Sequence, residues 1–329
     1  MSSSDGDGVT NLLAAERLHG VPVARGATAA AVAMANASVA GSVVLFGVST
    51  VATRVAVQTV SPILLSVVRF GIGGVLLVLA LAAVVPGRLR VARGDVPFLA
   101  VLGAIQFAAF SLTYNLGLRF TEASRGALML ATMPLWSACL ARAMGRERLR
   151  TSQILGIIVT LGGVSAALSD HTPSVSQSDS PLLGDGLMLL TAGLGALYGV
   201  LAHRFLARYH AVTVTTYATG FGTLLLAPFC LLERLAPNIS QIGATEVWLI
   251  LFLGTFGGAI AYFLWTFGFT TLAPTQVAIY VNLNPMVATI MGAIWLGETI
   301  TPLFLIGFIA VVIGVFVVNC PKMGATQGN

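Results

Sequence analysis

Ten runs of about twenty mostly apolar residues follow one another along this chain, separated by short polar links. A helix needs about 20 such residues to cross a bilayer core of roughly 30 Å. The runs lie at Ala37–Val57, Ile63–Val85, Phe98–Leu118, Ala123–Ala143 and Ser152–Leu168, then at Leu187–Leu206, Val212–Leu232, Val247–Thr266, Pro274–Leu296 and Pro302–Val318. Inside lipid a backbone has no water to bond, so each run must close its own hydrogen bonds as a helix. None alternates with the two-residue period of a barrel strand, which excludes a membrane β-barrel. Composition agrees: 57% of the 329 residues are hydrophobic and 9% are charged. A soluble surface draws on roughly 25% charged residues, so a water-soluble fold is excluded, and the apolar content excludes disorder. The expected class is an all-α membrane protein with ten transmembrane helices.

The polar links carry the remaining information. Arg88, Arg90, Arg93, Arg142, Arg146, Arg148, Arg150, Arg204 and Arg208 fall in alternate links, and Lys322 follows the last run. The other side holds Arg54, Arg119, Arg125 and Arg234, with the acidic central link. Basic links mark the cytoplasmic side, so both termini are expected in the cytoplasm of a cell inner (plasma) membrane. The net charge of +5 is accounted for in this way, and no nucleic acid partner is expected. Residues 1–34, which lack the basic-then-apolar layout of a secretory signal, are expected to be a cytoplasmic tail, as are residues 320–329. Residues 35–168 and 187–319 form the two halves, joined by an extracytoplasmic linker at 169–186.

The halves repeat. A shift of 151 residues lays Leu102-Gly103 on Leu253-Gly254, Gly117 on Gly268, Pro134 on Pro285, Glu147 on Glu298, Gly156 on Gly307 and Gly163 on Gly314. Five spans per copy is an odd number, so the second copy must enter the membrane upside down. Inverted five-helix repeats are how many secondary transporters build two related conformations around a midplane site.

These residues resemble the EamA domain of the drug/metabolite transporter superfamily. In the first half the resemblance rests on Leu45-Phe-Gly47-Val-Ser, Val68-Arg69-Phe, the stretch Tyr114-Asn-Leu-Gly-Leu-Arg-Phe-Thr-Glu-Ala-Ser-Arg-Gly-Ala, Met133-Pro134 and Gly145-Arg-Glu147. In the second half it rests on Ala273-Pro-Thr-Gln-Val-Ala, Asn284-Pro285 and Leu296-Gly297-Glu298-Thr. Phe46 stands where the family often has Trp, and Tyr217 stands roughly where the second half would repeat Arg69. The resemblance implies a ten-helix carrier of small organic solutes, often a bacterial exporter of amino acids or other metabolites.

Pro134 and Pro285 sit within spans, where proline removes a helical hydrogen bond. Kinks are expected there, beside a cavity or as plain packing devices. Arg69 lies several residues inside its span, where a charge costs on the order of 3 kcal/mol. It reads either as a partner for a substrate carboxylate or as a structural pin on helix-end carbonyls. Gln106, Tyr114, Trp136, Tyr198, Tyr262, Trp265, Tyr280, Asn282 and Asn284 are polar or amphipathic groups within spans. They are candidates to line a substrate cavity, with helix–helix bonding or an interfacial belt as the alternatives. Glu147 and Glu298 are expected to cap the helices that follow them. Gly195/Gly199 and Gly254/Gly258 have a close-packing spacing, with a homodimer face as the weaker reading.

Enzyme chemistry has no foothold. The histidines (His19, His171, His203 and His210) share no metal-ligand spacing, the cysteines Cys139, Cys230 and Cys320 are isolated, and no phosphate-binding loop is present. No metal and no cofactor is expected. The partners are the bilayer and a small-molecule substrate. The sequence thus points to alternating-access export of amino acids or similar polar solutes. Uptake of a sugar- or nucleotide-type solute, and a non-transporting scaffold or membrane enzyme, stand as the alternatives.

Overall fold

The computed structural model describes residues 29–84, 91–143, 151–169, 180–206, 208–209, 211–232, 243–268, 280 and 283–319. Among these, all regular elements are helical. In chain order they are α1 (Ala29–Thr59), α2 (Pro62–Val84), α3 (Val96–Gly103), α4 (Phe110–Phe120), α5 (Ala123–Leu130), α6 (Met133–Ala143) and α7 (Thr151–Leu168). Then follow α8 (Pro181–Leu206), α9 (Ala211–Leu232), α10 (Ala244–Phe252), α11 (Ala261–Gly268), α12 (Leu283–Leu296) and α13 (Pro302–Asn319). Six helical stretches among the described residues are long and apolar enough to cross a membrane: Ala29–Thr59, Pro62–Ala80, Arg93–Phe120, Pro181–Ala202, Val212–Cys230 and Ala244–Trp265. Their outer faces expose Val75, Leu79, Leu224, Trp248 and Leu251, and α7, α12 and α13 likewise expose Ile158, Ile294 and Ile306. Water would penalise such a surface and a hydrocarbon solvent does not.

Local chemistry sets the helix starts. Ser61-Pro62, Ser180-Pro181 and Thr301-Pro302 each place proline at the first helical position, where its missing N–H is not needed. The Ser61 hydroxyl accepts from Ile63 N at 3.2 Å and the Thr301 hydroxyl from Phe304 N at 3.0 Å. The start at Pro181 lies inside the stretch expected to be linker, so Asp185 belongs to the first turns of α8. The N-terminal boundary also moves, because α1 already begins at Ala29.

Proline also explains a break. After α5 the chain turns at Ala131-Thr132, and the Thr132 hydroxyl donates to the Met129 carbonyl at 2.6 Å. Pro134 is therefore the second residue of α6, and the expected kink is a complete interruption. Pro285 is the third residue of α12. At Pro134 the lost N–H falls in a first turn, where no intrahelical acceptor exists for it. Asn282 and Glu147 lie outside the described residues.

Two π-helical stretches, Ala104–Ala109 and Leu253–Ile260, join α3 to α4 and α10 to α11. Their last residues coincide under the 151-residue shift. The tertiary pairings obey the same correspondence. The rod α3–α4 packs on α8 and α9, and the rod α10–α11 packs on α1 and α2. α5 and α6 lie on α8, whereas α12 lies on α1.

Glycine permits a close crossing between α7 and α13. A Cβ on Gly163 would lie 2.7 Å from the Gly307 carbonyl oxygen, and one on Gly314 would lie 2.7 Å from that of Gly156. Partner numbers fall as residue numbers rise, so the two helices run antiparallel. Gly195 packs on Met133, Gly254 on Ile72 and Gly258 on Gly73, so three of the four spaced glycines serve packing within the chain.

Candidate functional site

Two buried polar assemblies stand out, and they differ in how completely they are satisfied. The first lies where α1, α4 and α12 end and α5 and α8 begin. Arg54 Nη1 donates to the Leu118 and Arg119 carbonyls at 2.7 Å each, capping the C-terminus of α4. Glu298 accepts from the backbone of Ala123 at 2.6 Å and Ser124 at 3.0 Å, across the two halves. The amides at a helix start carry partial positive charge, which suits a carboxylate. Glu298 was expected to cap its own following helix. The turn at Gly297, with φ +66, lets Glu298 N reach the Gly292 carbonyl at 3.2 Å. Its side chain packs beside Gly292, where any Cβ would strike the carboxylate, and so it caps α5. Asp185 accepts from the Thr121 hydroxyl and from Arg125 Nη2, at 2.6 Å each. Arg125 Nη1 closes the set on the Ala167 carbonyl at 3.0 Å.

The second assembly lies deeper. Arg69 is two turns into α2, about 10 Å along the helix at 1.5 Å per residue. It is 7% exposed. Its Nη1 donates to the Thr53 hydroxyl at 3.2 Å, while Nε has no partner. Among the described residues no carboxylate meets it, and the ionisable groups that act on it electrostatically are the phenols of Tyr114 and Tyr262. Tyr114 donates to the Thr50 hydroxyl at 2.9 Å, and that hydroxyl donates to the Phe46 carbonyl at 3.1 Å. Tyr262 pairs with Gln106, whose carbonyl Oε1 is buried without a partner. The Ser49 hydroxyl, one turn before Thr53, is likewise buried and unpartnered. It faces Gly257, where an added Cβ would also come within 3.2 Å of Arg69 Nη2.

Aromatic rings surround this group. Phe46 meets Tyr262 edge-on at 5.2 Å between centroids and Trp265 at 6.4 Å. Phe107 meets Phe70 at 5.1 Å and Tyr262 at 6.0 Å. Edge-to-face pairs at these distances hold ring orientations. The Arg69 guanidinium lies 5.3 Å from the Phe70 ring. α1, α2, α4, α11 and the first π-helical stretch supply the side chains, and the second stretch supplies Gly257. π-helical turns inside membrane helices often mark functional sites.

The sequence candidates therefore separate. Arg69, Gln106, Tyr114 and Tyr262 come together, and Trp265 adjoins them through Phe46. Tyr198 pairs with Thr215 and lies near Tyr262 in the same apolar cluster. Tyr280 stands apart, donating to Asn36 Oδ1 at 3.0 Å and packing with Trp265 against Ala35 and Val39. The Asn284 carbonyl oxygen crowds Gly47, and its side-chain Oδ1 is buried without a partner. Trp136 is 40% exposed and rests near Gly193 of α8. Ser49 and Thr53 were not among the candidates. Their signal was faint, two small hydroxyl residues four apart on the face of α1 that Arg69 approaches.

The described residues are those of a helical membrane protein with a buried polar group between its helices. The matching family model, described as the EamA-like transporter family, covers residues 33–169 and again 182–320. The chain belongs to that family. It is 28% identical over 248 residues to a probable terminal-alkyne amino-acid exporter of Streptantibioticus cattleyicolor, covering 75% of this chain and 80% of that protein. It is 28% identical over 232 residues to the uncharacterized transporter YyaM of Bacillus subtilis, covering 69% and 75% of the two chains. YetK, another uncharacterized transporter of that organism, is 25% identical over 289 residues, 88% and 87% of the two. A solved crystal structure superposes with a TM-score of 0.62 at 19% identity, covering 88% of this chain and 96% of that one. That likeness shows the fold alone.

Proposed function

We propose that the chain is a ten-helix secondary transporter of two inverted five-helix repeats. On this reading it exports amino acids or similarly small polar metabolites by alternating access. The observation that carries this reading is the partly satisfied polar group around Arg69, lined from both halves of the chain. A scaffold or an enzyme without a solute has no use for buried donors and acceptors left open, because each costs about 1–3 kcal/mol.

Three features support the inverted repeat: the antiparallel glycine crossing, the matched π-helical stretches and the reciprocal packing of the rods. The two halves then rock about the site, with the Arg54–Glu298 assembly closing the extracytoplasmic end. The basic links support a cytoplasmic position for both termini, and the membrane on this reading is the plasma membrane. The partners are the bilayer and the solute. Gly199 faces open space, the remaining feature in favour of a homodimer. The exporter among the relatives supports an amino-acid solute and outward direction.

The test compares metabolites in medium and cells, with the protein overproduced and with a P134A/P285A control of equal membrane abundance. Accumulation of amino acids outside with the intact protein alone is the expected result. A rise inside the cells would favour uptake of a sugar- or nucleotide-type solute, and no change in either compartment would favour a scaffold or enzyme.

A further inference from the structure

Two acidic residues stand at the starts of corresponding rods. The 151-residue shift lays Asp95, the residue before α3, on Glu246, in the first turn of α10. Each meets the end of the other half's first helix. Asp95 Oδ2 accepts from the hydroxyl of Tyr209, just past the end of α8, at 2.6 Å. Glu246 Oε1 accepts from the hydroxyl of Thr59, the last residue of α1, at 3.5 Å. The two contacts lie at opposite ends of the bundle. Thr59 is just over a turn past Arg54, and Arg54 caps α4 at the far end of the rod that Asp95 begins. At 1.5 Å per residue that rod is on the order of 35 Å long.

The Asp95 contact has the more complete construction. Arg208 N and Tyr209 N both donate to the Phe205 carbonyl, at 2.9 and 2.7 Å, and this turn sets where the phenol emerges. The Tyr209 hydroxyl also accepts from Ala92 N at 3.2 Å, and Arg208 Nη1 lies 3.4 Å from the same Asp95 oxygen. Behind them Phe98 of α3 stacks on Phe205 of α8 at 4.6 Å between centroids, and the Tyr209 ring continues the stack at 6.4 Å. A phenol–carboxylate bond this short is charge-assisted and directional. Yet the Arg208 side chain is mostly exposed and that of Asp95 only part-buried. Water can take over their hydrogen bonds when they separate, so the exchange costs little. Arg54 lacks that freedom, because its carbonyl acceptors lie inside the fold.

Resting on the transporter reading above, we infer that Asp95, Tyr209 and Arg208 form a releasable clasp that closes the cytoplasmic mouth between the halves. Glu246 and Thr59 are its repeat-related counterpart at the other mouth, where the Arg54–Glu298 assembly supplies most of the closure. Opening to the cytoplasm parts Tyr209 from Asp95 and leaves the Arg54–Glu298 end shut. Opening outward does the reverse.

The experiment asks from which face an interior cysteine can be labelled, with no solute present. Cys139, Cys230 and Cys320 are replaced by serine. Gln106→Cys, near the middle of the span Arg93–Phe120, supplies the reporter. A membrane-impermeant maleimide is then applied to inside-out and to right-side-out vesicles. Tyr209→Phe keeps the ring stack and removes only the hydroxyl. It should raise labelling from the cytoplasmic face about tenfold, the factor that about 1.4 kcal/mol gives, and lower it from the outer face. Asp95→Ala should act in the same direction. Thr59→Val should change the outer rate by about twofold or less, as surface substitutions do.

Equal gains at both faces in Tyr209→Phe, a gain only at the outer face, or an unchanged cytoplasmic rate in both clasp variants would overturn the proposal. So would a larger effect at Thr59→Val, or a reporter that no variant exposes to either face. Counterflow in proteoliposomes separates this inference from the transporter reading. Face-selective labelling without flux would keep the clasp and sink the carrier. Flux with labelling indifferent to Tyr209 and Asp95 would do the reverse.

Discussion

Arg54 and Arg69 are both buried in membrane helices, 9% and 7% exposed, yet the protein treats them in opposite ways. Arg54 engages two carbonyls at the end of α4 and lies in the fields of Glu298 and Glu122. Arg69 has one hydroxyl and two phenols for neighbours. The first arrangement closes charge upon charge and ties the halves together at one end. The second leaves an edge of the guanidinium open some way into the bundle. On the reading proposed above, the group around Arg54 holds structure and the group around Arg69 serves the solute.

Variants can break or sharpen this contrast. The largest effect belongs to Arg69→Gln. Removing one partner of a buried charge pair costs about 2–5 kcal/mol, so solute affinity should fall on the order of a hundredfold at matched protein abundance, measured by binding in nanodiscs. Glu298→Ala comes next. It strips two short hydrogen bonds from the start of α5 and leaves Arg54 short of a counter-charge, a loss of about 3 kcal/mol in stability. The lowered unfolding temperature should appear without solute, and solute binding should survive in the folded fraction. Gly163→Ala forces α7 and α13 apart, because the new methyl meets the backbone of Gly307. Such overpacking costs roughly 1–3 kcal/mol, read as the same loss of unfolding temperature. The smallest effect is expected at Trp136→Leu, which changes a half-exposed side chain outside both assemblies. Solute affinity there should stay within about twofold, by the rule that substitutions away from such features shift stability by about 0.5 kcal/mol or less. A large loss at Trp136 would extend the site toward α8.

The helical class was legible because lipid imposes one solution on a backbone, and ten long apolar runs leave little freedom. Family membership was legible in the spacing of the Gly, Pro and Glu residues along the two halves. The proline positions could be read, but their consequence could not. Proline says that a helix bond is lost, and whether the chain kinks or restarts depends on neighbours such as Thr132. The reach of Glu298 was hidden too, since the amides of Ala123 and Ser124 lie 175 and 174 positions away in sequence. Arg69 itself announced a buried charge. Its surroundings did not show, because Ser49, Thr53 and Gly257 are small residues whose meaning comes only from what they face.

The central claim is that the incomplete arginine serves the solute and the complete one serves the fold. Counterflow in proteoliposomes preloaded with L-amino acids, comparing Arg69→Lys with Arg54→Lys at equal incorporation, tests it most directly. Lysine keeps each charge but loses the fork. The account predicts that Arg69→Lys cuts exchange by at least about tenfold with a near-normal unfolding temperature. Arg54→Lys should instead lower that temperature and leave exchange per folded molecule close to normal. Normal exchange in Arg69→Lys, or the reverse assignment of the two losses, would contradict it.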